Sequence, residues 1–145
     1  MKPRLNVITL AVKDLDKALN FYQNLGWPPA DVVGDEFKGS DTEPAGKVAF
    51  FAMPGGLIFA LYPRSELAKD ANRPTGVPNS TEFSLGYAVG SPEKVDEVLA
   101  KVKAVGGTLT DRPHERPWGI YSGYFEDLDG HLWEVIYNPG IEVED

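Results

Sequence analysis

Tyr124-Phe125-Glu126-Asp127-Leu128-Asp129-Gly130-His131-Leu132-Trp133-Glu134 places breaker-free, aromatic-rich runs on both sides of an acidic, glycine-ended turn. Ile120 to Glu126 and His131 to Tyr137 therefore read as two strands of a hairpin joined through Asp127-Leu128-Asp129-Gly130. Asp127 and Asp129 look like acidic ligands, but in a tight D-x-D-G hairpin such carboxylates bond turn amides. The same plan occurs upstream, where Lys47 to Met53 and Leu57 to Tyr62 flank Pro54-Gly55-Gly56. Aligning Gly56 with Gly130 sets Phe50-Phe51 on Tyr124-Phe125, Phe59 on Trp133 and Ala60 on Glu134. The hairpin is an internal repeat.

Outward from each hairpin lies a strand followed by a helix. Leu5 to Val12 reads as a strand, Asp14 as an N-cap, and Leu15, Ala18, Leu19, Tyr22 and Leu25 as a helical apolar stripe stopped at Gly26. Phe83 to Val89, the cap Ser91-Pro92-Glu93, the stripe Val95, Val98, Leu99, Val102 and Val105, and the stop Gly106-Gly107 repeat that order. A weaker strand is expected within 31–38, its counterpart at Thr108 to Arg112, and a short linker helix at Arg64 to Ala71. Aligning Val12 with Val89 sets Val7 on Ser84. The expectation is an α+β chain of two pseudo-symmetric βαβββ modules whose curved mixed sheets surround a small-molecule cavity. It forms a single domain over 1–145, with module one at 1–71, a linker at 72–82 and module two at 83–145.

Composition narrows the function. The 145 residues suit one domain, and 42% hydrophobic with 25% charged residues is a globular balance. No apolar run has membrane-helix length and the N-terminus does not read as a signal peptide, so a cytoplasmic protein is expected. The absence of cysteine excludes disulfides, thiolate metal sites and cysteine nucleophiles. A net charge of −8 with a pI near 4.7 argues against nucleic acid, whose phosphates need clustered Lys and Arg.

Side chains alternate along strands, so each strand offers one face to its helix and one to the other side. Ile8, Leu10 and Val12 oppose Val7, Thr9 and Ala11, while Leu57, Phe59 and Leu61 oppose Ile58, Ala60 and Tyr62. Phe83, Leu85, Tyr87 and Val89 oppose Ser84, Gly86 and Ala88, and His131, Trp133 and Val135 oppose Leu132, Glu134 and Ile136. The smaller or more polar set would face a cavity. His114 and Trp118 stand in a loop, Arg112 to Trp118, that can fold over its mouth. Tyr62, Tyr121, Tyr124 and Trp118 supply an aromatic lining with hydroxyl handles, though core packing competes for them.

The run Val12-Lys13-Asp14-Leu15 to Phe21-Tyr22-Gln23-Asn24-Leu25-Gly26 and the closing hairpin resemble the vicinal oxygen chelate superfamily of glyoxalase, bleomycin-resistance and ring-cleaving dioxygenase proteins. The first is similar to its V-x-D-L strand end before a helix carrying F-Y and ending L-G. The second is similar to F-x-D-P-D-G-x-x-x-E, with Leu128 in place of the usual proline. In metal-dependent members the resemblance implies four inward ligands, commonly His and Glu, whose positions here are Val7, Ala60, Ser84 and Glu134. Glu134 alone is a ligand type, so no cofactor is expected. A divalent metal stays open only through unorthodox ligands such as His114 with Glu134.

The resemblance thus implies a protein that binds a small organic ligand without the metal, in the manner of the bleomycin-resistance branch. The expected binding set is Val7, Thr9, Ala60, Tyr62, Ser84, His114, Trp118, Tyr121 and Glu134. The alternative is a lyase, isomerase or dioxygenase-type enzyme with Glu134 as its catalytic base or with that unorthodox metal. A regulatory or immunity-type binding module is a third reading. A homodimer is expected in each case.

Overall fold

Val7–Val12 forms β1, and the chain then turns into α1, Leu15–Asn24, where the Asp14 carboxylate accepts from the Lys17 amide at 3.0 Å. The structure is a computed structural model that describes residues 1–79 and 82–143, so linker positions 80 and 81 and the last two residues lie outside it. Leu15, Ala18, Phe21 and Tyr22 form the buried stripe of α1. Phe21 joins the expected set, whereas Leu19 and Leu25 stay half-buried. β2 (Asp31–Val33), β3 (Val48–Ala52), β4 (Ile58–Pro63) and α2 (Arg64–Asp70) complete the first unit, Met1–Val77. Gly55 and Gly56, both at left-handed φ, make the β3–β4 turn, which suits residues without a Cβ.

The first sheet has the order β1-β4-β3-β2, with β1 parallel to β4 and the other pairs antiparallel. Its helix side buries Leu10, Val12, Phe51, Phe59 and Leu61. There Tyr22 packs edge-on against Phe59 at 5.2 Å, and Trp27 against Phe51 at 5.0 Å. These aromatic pairs add to simple burial.

The segment between β2 and β3 is tied to α2. Glu66 Oε2 accepts from the Ala45 amide at 2.7 Å, the Tyr62 hydroxyl donates to the Ala45 carbonyl, and Lys69 Nζ donates to the Ser40 carbonyl at 2.9 Å. The Ala45 N–H is the main cause holding the Glu66 carboxyl below its usual pKa. A folded-state pKa below the unfolded one contributes stability above the ordinary carboxylate range, and that stability is lost as pH falls through the folded value. Glu66→Gln is therefore expected to cost about 1 kcal/mol at neutral pH. The difference from the parent should shrink below about pH 4 in melts at a series of pH values. A pH-independent difference would contradict this.

The second unit, Pro78–Asp145, contains β5 (Leu85–Ala88), α3 (Pro92–Ala104), β6 (Thr108–Glu115), β7 (Tyr121–Glu126) and β8 (Leu132–Tyr137). Its sheet order, β5-β8-β7-β6, repeats that of the first. Ser91 caps α3 by accepting from the Lys94 amide, and Pro92 opens it. Val95, Leu99 and Val102 pack against the side of the sheet carrying Phe125, Trp133 and Val135. Two sequence expectations change. β5 begins at Leu85, leaving Phe83 and Ser84 exposed ahead of it, and β6 runs on to Glu115, so His114 stands on a strand instead of a loop.

The repeat register is visible in the pairing. Phe51–Phe59 and Phe50–Ala60 correspond to Phe125–Trp133 and Tyr124–Glu134, and Thr9–Ala60 corresponds to Gly86–Glu134. Asp127 Oδ1 accepts from the amides of Asp129 and His131, each at 2.9 Å, which gives it the turn role read from D-x-D-G. The chain is thus an α+β fold of two similar βαβββ modules, and no helix among the described residues is long and apolar enough to cross a membrane.

Candidate functional site

In β7 and β8, strict alternation turns Phe125, Trp133 and Val135 toward α3 and puts Ser122, Tyr124, Glu134 and Ile136 on the opposite face. Counted on regularly from Leu109, β6 would turn Asp111 toward the helix side. Register shifts between Leu109 and Asp111, and again between Asp111 and His114, bring Asp111 opposite Tyr124 and His114 opposite Ser122. Each shift inserts one extra residue, and such bulges re-aim side chains. Pro113, which has no N–H to give to the ladder, lies within the second. Gly123 makes the close packing possible, since a Cβ there would lie 2.6 Å from Leu99 Cδ1, 2.9 Å from the Pro113 nitrogen and 3.0 Å from the Asp111 oxygen.

The re-aimed residues form one hydrogen-bonded cluster. Ser122, with no exposure at all, donates to Glu134 Oε1 at 2.9 Å and accepts from Arg116 Nε. Arg116 Nη2 donates to Asp111 Oδ2 at 2.7 Å, and the guanidinium lies 5.4 Å from the centre of the Tyr124 ring. His114 Nε2 is 3.1 Å from the same Asp111 oxygen. Arg116 first, and then His114, hold the Asp111 carboxyl below its usual pKa. Burial, followed by the charge of Glu134 and a hydrogen bond to it, raises the Tyr124 hydroxyl above the ordinary phenol value. Tyr124 therefore stays a neutral donor beside the carboxylate.

This wiring limits the chemistry. Serine, histidine and aspartate meet here, yet the Ser122 proton points to Glu134, so the serine–histidine contact of a Ser-His-Asp triad is not made. What the cluster does offer is a carboxyl acceptor, Glu134, steadied by a hydroxyl with a guanidinium behind it. Beside Glu134 in the ladder is Gly86, where an added Cβ would meet nothing within 4 Å. The surface next to the carboxylate is open.

The other expected site residues are placed differently. Tyr121 points to the helix side, where its hydroxyl donates to Asp96 Oδ1 at 2.9 Å, so it stands on the sheet face opposite Glu134. Trp118, 89% exposed, occupies the turn Pro117–Gly119 at φ 65°, a left-handed conformation that costs a residue with a side chain about 1–2 kcal/mol. In the first module Val7 and Thr9 are exposed, Ala60 is buried between its ladder partners Thr9 and Phe50, and the Tyr62 hydroxyl is committed to Ala45. Ser84 is exposed ahead of β5. Sequence reasoning missed Ser122, Arg116 and Asp111, and the proline inside a strand-like run was the available signal.

The metal that the resemblance implies does not fit these residues. Val7 and Ala60 carry no donor atom and Ser84 offers a neutral hydroxyl, so Glu134 would be the single carboxylate ligand of such a site. Among the described residues no group of three His, Asp or Glu side chains is placed to hold an ion.

Comparison with known proteins agrees with the architecture. A glyoxalase-related enzyme from Fulvimarina pelagi is 25% identical, with a TM-score of 0.76 over 98% of this chain and 93% of its own. A genomically encoded fosfomycin resistance protein from Listeria monocytogenes is 27% identical, with a TM-score of 0.66 over 97% of both chains. A glyoxalase/bleomycin resistance protein/dioxygenase from Nocardioides, 21% identical, shares the fold at a TM-score of 0.69 over 100% of this chain and 90% of its own. No curated protein sequence matches the chain. The sequence profile of the Glyoxalase/Bleomycin resistance protein/Dioxygenase superfamily matches residues 4–135, and with the doubled βαβββ plan this establishes that the chain belongs to that superfamily.

Proposed function

We propose that this protein binds a small organic ligand over the open face of its second sheet, without a metal, as a glyoxalase/bleomycin-resistance-like binding protein. The observation that carries the reading is Glu134, a carboxylate held by the buried Ser122 hydroxyl and backed by Arg116, next to the open surface at Gly86. An acceptor fixed in place before the ligand arrives loses little freedom on binding. Hydrogen bonds to charged groups are also the stronger kind.

The test is a mass-spectrometric search for metabolites that co-purify with the chain, coupled to elemental analysis. A recurrent small molecule with far less than one metal per chain is the expected result. Added zinc, nickel or manganese should leave the melting temperature unchanged, because an ion that binds only the native state must raise it. Tight stoichiometric metal would overturn the metal-free reading.

A second reading, an enzyme with Glu134 as general base, draws on the likeness to a glyoxalase-related enzyme. It is separated from the first by turnover that Glu134→Gln abolishes while binding persists. In both readings the protein works in the cytoplasm as a homodimer, and sedimentation showing a monomer at micromolar concentration would contradict the pairing.

A further inference from the structure

We infer that the group recognised over the second sheet is an amide-type pair, an N–H donor beside a carbonyl acceptor, on a neutral planar ligand whose body lies over Gly86. The inference rests on the ligand reading above and sharpens it to a chemical class.

Arg116 has five N–H groups and no acceptor. Nε is taken by Ser122 and one Nη2 hydrogen by Asp111, while among the described residues Nη1 has no partner. An oxygen acceptor completes it. Glu134 is the reverse case, an acceptor with lone pairs beyond those that Ser122 and Tyr124 use. Ser122 Oγ bonds Arg116 Nε on one side and Glu134 Oε1 on the other, so the guanidinium and the carboxylate stand one hydroxyl apart.

Charge selects among ligands that satisfy one or both. A carboxylate would suit Arg116 but would meet the negative charges of Glu134 and Asp111. An amidinium would suit Glu134 but leave Arg116 unmet and repelled. An amide answers both without adding charge, and a mismatch that leaves a polar group unpaired is what gives such a site its selectivity.

Gly86 fits the same picture. It pairs directly with Glu134, its φ is not among the left-handed ones, and a Cβ there would meet nothing within 4 Å. Neither its backbone nor the packing of its own module requires glycine in a strand, where glycine weakens the ladder and often marks the close approach of a ligand. The bare peptide surface gives a flat ring a place to lie, and a branched side chain would fill it.

Benzamide, benzamidine and benzoate have one shape and differ in this chemistry, so they serve as probes in amide-resolved NMR titrations of the full chain. Benzamide should shift the amides of Gly86 and Glu134 with a millimolar Kd, as befits a fragment of its size. The two charged probes should bind about tenfold more weakly. Gly86→Leu should keep the parental melting temperature, because its side chain enters open space, and should abolish the benzamide shifts. If benzoate or benzamidine binds this face as tightly as benzamide, the amide assignment fails while the ligand face stands. If benzamide binds Gly86→Leu unchanged, the role of Gly86 fails. If no probe shifts Gly86 or Glu134, the chemical class is wrong, and loss of affinity for the co-purified metabolite in Glu134→Gln still decides the ligand reading separately.

Discussion

Gly123→Val is expected to destabilise the protein by about 3 kcal/mol, at the upper end of what overpacking a tight interior costs. The added carbons have nowhere to go. The nearest atom, Leu99 Cδ1, belongs to a fully buried side chain of α3, and the next two, the Pro113 nitrogen and the Asp111 oxygen, are backbone of the bulged β6. Accommodation must either shift the helix or flatten the bulges, and flattening them would return Asp111 to the wrong side of the strand. Urea unfolding followed by tryptophan fluorescence measures the loss. A variant within about 0.5 kcal/mol of the parent, the ordinary range for an uncrowded surface position, would show that this contact is not tight. Gly86→Leu is the matched control, with the same residue type lost from a strand in the same sheet but with open space around it.

Much of the architecture was readable because it is written in local chemistry. Asp14 and Ser91 cap their helices through side chains whose role depends only on the next three residues. The D-x-D-G turn fixes the hairpin register, and the orientation of Glu134 follows because β8 keeps a period of two. Tyr121 was readable by the same rule. It is three residues from Tyr124, the partner of Glu134, and so belongs to the other face.

The cluster around Glu134 was not readable, because its membership depends on one register shift in β6 that reverses the parity at Asp111 and a second that restores it by His114. Alternation counted along a regular strand from Leu109 would assign Asp111 to the helix side, while His114, beyond the second shift, regains the regular parity, and Pro113 shows that a disturbance exists without giving its size. Tyr62 failed for another reason. Its hydroxyl partner, Ala45, lies 17 residues away in an irregular segment, a contact that no local pattern announces.

Whether Glu134 holds a ligand over the second sheet is decided by calorimetric titration of the co-purified metabolite into the parent and into Glu134→Gln. The variant keeps the size of the side chain and an oxygen able to accept from Ser122, and Glu134 is only partly buried, so the fold should persist with a similar melting temperature. What changes is the charge. A hydrogen bond to an ionised group contributes about 1.5–3 kcal/mol, so affinity should fall by about 10- to 100-fold. Equal affinity in parent and variant, with both folded, would remove Glu134 from the site.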